Sequence, residues 1–213
     1  MASTLLDVTD LACRRSGRPV FDRLSFVLGA GELLALTGRN GSGKTTLLRA
    51  LALLVPADSG SILWQGAAVT DDPESWRGRL AWLGHLDGLK GDLTVRENLS
   101  MAQRLRGGSP AEDGLDVALV AYDLSALAHR PARTLSAGQR RRTALARVTL
   151  SAAPLWLLDE PLNALDSAAR QAFRAALLRH LAGGGAAVAA THADLGIPAA
   201  RTVELGGPSR LSA

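Results

Sequence analysis

Cysteine is nearly absent: Cys13 stands alone in 213 residues, so no internal disulfide can form and a disulfide-stapled secreted fold is excluded. Long apolar runs are absent too. The two longest, LLRALALLV (Leu47 to Val55) and VTLSAAPLWLL (Val148 to Leu158), are broken by arginine, proline or polar residues and fall short of the roughly 20 residues that span a bilayer. The opening MASTLLDVTD lacks the basic flank and apolar stretch of a signal peptide, which points to the cytoplasm. Aromatics make up only 4% of residues, and the +4 net charge comes from scattered basic residues rather than a block, so no nucleic-acid partner is expected. Lysine is the last scarcity, with only Lys44 and Lys90 among 24 basic residues. Arginine takes its place elsewhere, a compositional bias with no function attached. Lys44 therefore marks a position where a compact ammonium is wanted and a planar guanidinium is too large.

What remains is ordinary globular material, 47% hydrophobic and 21% charged, long enough for a sizeable core. Without repeats or long linkers, residues 1–213 are expected to form one unit. LLDVTDLAC, LSFVL and ELLALTG read as strands, KTTLLRALALLV as a helix ending before Pro56, and SILWQG and LAWLG as further strands. From Thr94 to about Ser151 the pattern turns helical. PLWLLDE returns to a buried strand, SAARQAFRAALLRHLAGGG is a helix stopped by glycines, and AAVAATHAD and TVELG complete the sheet. This alternation implies an α/β core with a largely parallel sheet. A helical subdomain is inserted at roughly 88–150, its part ahead of LSAGQ spanning 88–135.

Four stretches carry chemistry. GRNGSGKTT (Gly38 to Thr46) satisfies G-x-x-x-x-G-K-[ST] between an apolar strand and a helix, so its backbone N–H groups can cradle a nucleoside triphosphate while Lys44 reaches the β and γ oxygens and Thr45 offers a hydroxyl to Mg²⁺. LWLLDEP delivers Asp159 and Glu160 at a strand end, the first suited to hold Mg²⁺ and the second to act as general base on water. THAD places His192 after a second apolar strand, where an imidazole can hydrogen-bond the γ-phosphate and orient the water. LSAGQRRRTALARV is a turn feeding a helix, and a helix start with a serine hydroxyl is a second anion site. Arg140, Arg141 and Arg142 crowd its first turn. They are read either as solvated or as a cost that an arriving anion relieves.

The glycine loop, LSAGQ, LLDE, NALD and TH, in that order, resemble the ATP-binding subunit of ABC transporters over essentially the whole chain. The resemblance implies a P-loop NTPase with a RecA-like core, a small antiparallel β subdomain and the inserted helical subdomain. It implies ATP and Mg²⁺ as cofactors and an ATP hydrolase coupled to transport. Gly38, Arg39, Asn40, Gly41, Ser42, Gly43, Lys44, Thr45 and Thr46 would bind the nucleotide, Thr45 and Asp159 the metal, and Lys44, Glu160 and His192 would be catalytic. Two copies of the family's domain face head to tail. Ser136, Ala137, Gly138 and Gln139 would then cap the γ-phosphate held by the other copy, and Asp166 of NALD would bridge the two. Ala137 departs from the family's usual LSGGQ.

Within that family, WLGHLDGLKGDLTVRENL looks like the haem exporter subunit of cytochrome c maturation. That likeness implies integral-membrane partner subunits and a place on the cytoplasmic face of a bacterial inner membrane. No direct haem contact is expected, since no C-x-x-C-H is present. Another small-substrate transporter is the alternative, and a soluble ABC protein the more distant one. Two family features are missing. An adenine-stacking aromatic is replaced by Arg14 or Arg15, either of which could cover the base through its guanidinium plane. The glutamine expected after LAWLG is replaced by His85, which either senses nucleotide through water or merely caps the strand, with Leu86 expected to pack against the helical insertion.

Overall fold

A computed structural model of the chain describes residues 3–104, 112–197, 200–206 and 211–212. Strands β1 (Thr4–Arg15) and β2 (Arg18–Gly29) form a long antiparallel hairpin, to which β4 (Ser59–Trp64) and the short β5 (Ala67–Ala68) add, in the order β2-β1-β4-β5. This is the small antiparallel unit. The second sheet runs β10-β9-β3-β8-β7-β6, from β3 (Leu33–Thr37), β6 (Leu80–Leu83), β7 (Leu155–Asp159), β8 (Ala186–Ala190), β9 (Ala200–Glu204) and β10 (Leu211–Ser212). Its strands are parallel except β10, which turns back along β9 at the edge.

β7 and β8 are buried along their whole length, as strands covered on both faces must be. Alternation then assigns each side chain to one of two cores. Trp156, Leu158, Ala187 and Ala189 pack with Leu99, Leu145, Phe173 and Leu177 of the helices on one face. Leu155, Leu157, Ala186 and Val188 pack with Leu47 and Leu51 and with the antiparallel sheet on the other. Between β6 and β7 the chain leaves the sheet through α3 (Val95–Arg104), α4 (Glu112–Ala121) and α5 (Ala137–Thr149). α5 packs on α3, α4, β6 and α6 (Ser167–Ala182).

The helix after the glycine loop, α1 (Lys44–Leu51), stops short of the expected Val55. Leu53 takes a left-handed φ of 52°, and the amides of Leu53 and Leu54 return to the carbonyls of Ala50 and Arg49 at 3.0 and 2.8 Å. That pair of bonds closes the helix as a Schellman turn, with leucine in the place glycine usually takes. Short α2 (Pro73–Gly78), capped by Asp72 on the Ser75 amide, and β5 are too brief to give a periodic signal.

Candidate functional site

β3, β7 and β8 end side by side, and the functional residues follow those ends, where open parallel sheets bind their ligands. After β3 the loop curls through Gly38, Gly41 and Gly43, all at positive φ. A Cβ at Gly38 would strike the Leu205 carbonyl and Ser42 Oγ, so only glycine fits there. Gly43 is the N-cap of α1, brings no capping side chain, and is followed by no acidic residue in the first turn. The helix start therefore keeps its N–H groups and positive dipole end for an anion. Ser42 Oγ is buried without a hydrogen-bond partner, an orphan that a phosphate oxygen suits.

Lys44 is buried, its Nζ donating to the carbonyls of Gly38 at 2.7 Å and Arg39 at 3.1 Å and lying 3.2 Å from His192 Nε2. That imidazole nitrogen is also 3.0 Å from Asn40 Oδ1 and 3.6 Å from Glu160 Oε1. Protonated on Nδ1, His192 accepts from Lys44; protonated on Nε2, it donates toward Asn40 or Glu160. Thr45 Oγ1 donates to Asp159 Oδ2 at 2.9 Å. Asp159 is 4% exposed, and a buried carboxylate answered by one hydroxyl invites a hard cation. Mg²⁺ takes its remaining ligands from phosphate and water, so this pair fits it. Glu160 takes a left-handed φ of 46°, with its amide on the Ala190 carbonyl at 2.8 Å. The strand thus ends abruptly and the carboxylate joins the site instead of continuing the sheet.

A cavity of about 480 Å³ is lined by Lys44, Thr45, Asp159 and Glu160 together with Arg15, Val20 and His85. His85 thus lines the same cavity as Glu160. Of the two arginines offered for the base, Arg15 lines the cavity and Arg14 does not. Leu86 corrects an expectation: it is 82% exposed and does not pack on the helical insertion. Arg141 holds the Gly84 carbonyl and Arg147 the Gly88 carbonyl, so the loop is pinned at both ends and its middle is pushed outward.

LSAGQ begins α5 and does not line that cavity. Ser136 is the N-cap, its Oγ accepting from the Gln139 amide at 3.2 Å while Gln139 Oε1 accepts from the Ser136 amide at 2.9 Å, a complete capping box. Ser136 and Ala137 are exposed, whereas a Cβ on Gly138 would lie 3.2 Å from the Ala164 carbonyl. Asp166, expected to bridge two copies, caps α6 within this chain, accepting from the Ala169 amide at 2.8 Å.

The three arginines do not act together: Arg140 stays at the helix start, bound just ahead of the Ser136 cap, whereas Arg141 and Arg142 are bound within the chain away from it. Arg140 donates to the Leu135 carbonyl, Arg142 to the Tyr122 carbonyl and Asp123, and Arg141 is buried against four acceptors. Successive helical residues point 100° apart, so three neighbours cannot share a task. Arg141 falls three, four and seven residues before the buried Ala144, Leu145 and Val148, the spacing of one buried face. That periodicity was the available signal, and motif reading passed over it.

Residues 21–163 match the family model described as ABC transporter. The chain is 48% identical over 208 residues to the cytochrome c biogenesis ATP-binding export protein CcmA of Paracoccus denitrificans, covering 98% of this chain and 91% of that one. It is 44% identical over 195 residues to CcmA 2 of Cupriavidus metallidurans, covering 92% of each. Among solved structures, the ATP-binding subunit of an ABC transporter superposes with a TM-score of 0.87 at 28% identity, over 94% of this chain and 85% of that one. A putative ABC transporter ATP-binding protein from Pyrococcus furiosus, with a TM-score of 0.80 at 23% identity over 92% and 96% of the two chains, shares the fold.

Proposed function

The chain belongs to the ABC transporter family, whose ATP-binding subunits hydrolyse ATP to drive transport, and we propose that the system it serves is the one its relatives are named for, export in cytochrome c biogenesis, with haem as the cargo. The observation that carries the ATPase part is Glu160: a carboxylate turned by a left-handed residue toward a buried lysine and an imidazole at the mouth of one parallel sheet.

In that reading the loop amides and Lys44 bind the β- and γ-phosphates and offset their charge. Thr45 and Asp159 would hold Mg²⁺, which when bound neutralises phosphate oxygens. Glu160 accepts the proton of the attacking water, and His192 donates to the γ-phosphate the Nε2–H that otherwise faces Asn40 Oδ1. Arg15 lies over the base and His85 reports the nucleotide state through water. A second copy supplies Ser136, Ala137, Gly138 and Gln139, and Asp166 meets that copy beside its capping role.

Among the described residues no helix is long and apolar enough to cross a membrane; in the proposed system separate membrane subunits make the crossing and this chain docks on their cytoplasmic face. Glu160→Gln should bind ATP, lose hydrolysis by about 10²- to 10⁴-fold and accumulate a dimer on size-exclusion chromatography with ATP. A monomer at saturating ATP counts against the paired reading. Copurification from membranes decides the cargo: membrane subunits unrelated to c-type cytochrome assembly would favour another small-substrate transporter.

A further inference from the structure

One buried side chain joins parts of the site that sequence motifs treat separately. Arg141 lies on α5, two residues past the LSAGQ turn, and is 6% exposed. Its Nη2 donates to the main-chain carbonyls of Asp159 at 2.7 Å and Glu160 at 2.6 Å. Its Nη1 donates to the Gly84 carbonyl at 2.9 Å and lies 3.4 Å from Asp87 Oδ1. The fork thus spans two segments, the turn that presents Glu160 and the loop that carries His85. Only a planar group with parallel donors can hold two pairs of acceptors at once.

The need for such a tie is local. Glu160 stands at a φ of 46° without being glycine, a conformation of higher energy that persists only where its surroundings hold it. Its amide is held by β8 through Ala190, and its carbonyl accepts from Arg141 at 2.6 Å and, within the turn itself, from the Asn163 amide at 3.2 Å. The Asn163 bond is local and moves with the turn, so Arg141 is the group in this set of contacts that ties the carbonyl to another element, and the carboxylate direction follows the rotation of the turn. Lys44, Thr45 and the glycine loop make no hydrogen bond to Arg141, which reaches their neighbour Asp159 only at its main-chain carbonyl, so the groups that would bind phosphate are held without it.

We propose that Arg141 is the positioning residue of the hydrolytic step, clamping the Glu160 turn to the His85 loop and joining both to the helix that begins at Ser136. The proposal rests on the ATPase reading above. Through it, any displacement of α5 by an occupant at its N-terminus reaches Glu160 of the same chain through one rigid guanidinium.

The test compares the full chain with Arg141→Met and Arg141→Lys, measuring equilibrium ATP binding, KM, kcat and thermal midpoint. Arg141→Met should lower kcat by about 10- to 100-fold, the usual cost of losing an orienting group, with the ATP dissociation constant within about threefold of wild type. Arg141→Lys keeps a buried cation yet reaches fewer acceptors, so its kcat should fall between the two at unchanged affinity; it also carries the test should the methionine variant not fold. Wild-type kcat in either folded variant overturns the proposal and leaves the ATPase reading standing. Parallel loss of binding and kcat also overturns it, because the residue would then be a general support of the fold. A wild-type chain that hydrolyses no ATP with its membrane subunits overturns both.

Discussion

Around Lys44 the functional side chains are held by distant parts of the same chain, whereas at Ser136 they hold each other. Lys44 meets His192, Thr45 rests on Asp159, and His192 on Asn40, a partner 152 positions away in sequence. Ser136 and Gln139 close a box three residues wide and stay outside the cavity. The first arrangement is a preformed site that keeps its geometry before any ligand arrives. The second is a finished helix start whose serine accepts from Gln139 and still has its O–H to donate. In the proposed reading such a surface serves a ligand brought to it from outside. The difference teaches that, of the two unlike anion half-sites proposed for this chain, only the Lys44 half is assembled by its own fold.

The comparison breaks most visibly at the preformed half. Lys44→Ala should abolish turnover and weaken ATP binding, because in the proposed reading the buried ammonium offsets the charge of the phosphates. Equilibrium binding and steady-state hydrolysis measure it, and wild-type values for both would remove Lys44 from the site. A smaller effect sharpens the edge of the same half. Arg15→Ala should weaken ATP binding by roughly 0.5 to 1 kcal/mol, a few-fold in dissociation constant, while Arg14→Ala should not. Arg14 lies outside the cavity, with its amide on the Asp58 carboxylate. Equal affinities for the two variants would end the base-covering role.

The smallest expected effect is a control far from both halves. His180 stacks on Trp156 with ring centroids 4.1 Å apart, and its Nε2 is 3.0 Å from the Ala186 carbonyl, at the end of β8 opposite His192. Burial lowers its pKa below the ordinary histidine value. The unfolded chain therefore binds this proton more readily, and stability present above about pH 6.5 is lost as pH falls through the lower folded value. Thermal melts from about pH 7 to about pH 5 should show a shallower loss in His180→Gln than in wild type, with kcat at neutral pH unchanged. An identical pH slope in the two would remove His180 as its source.

Much of the preformed half was legible in the sequence because a strand followed at once by a glycine loop, a carboxylate pair or a histidine leaves little freedom in where those side chains go. The parallel sheet followed from continuous apolar strands such as LWLLD and AAVAA alternating with helices, whereas the antiparallel sheet was expected from the family resemblance. What was not legible depends on contacts between segments far apart in the chain. Arg141 reaches Gly84 across 57 positions, so nothing near it in sequence announces its acceptors. Leu86 was expected inside because it is leucine, yet the pinning of Gly84 and Gly88 from α5 leaves it on the outer arc of the loop. Asp166 shows a third cause: a residue read for a contact between copies also has a local duty, the α6 cap, which pattern alone does not separate from the other.

The most direct test of the two unlike halves mixes two inactive chains, Lys44→Ala and Ser136→Ala, each broken in one half. In a head-to-tail pair of one of each, Lys44 from the second chain meets Ser136 from the first, so one composite site is whole and the other is doubly broken. Random pairing with two-fold symmetry should then restore hydrolysis to roughly a quarter of wild type from chains that are nearly inactive alone. Mixed chains that hydrolyse no faster than the sum of the separate preparations, while still forming ATP-dependent dimers, would contradict the account.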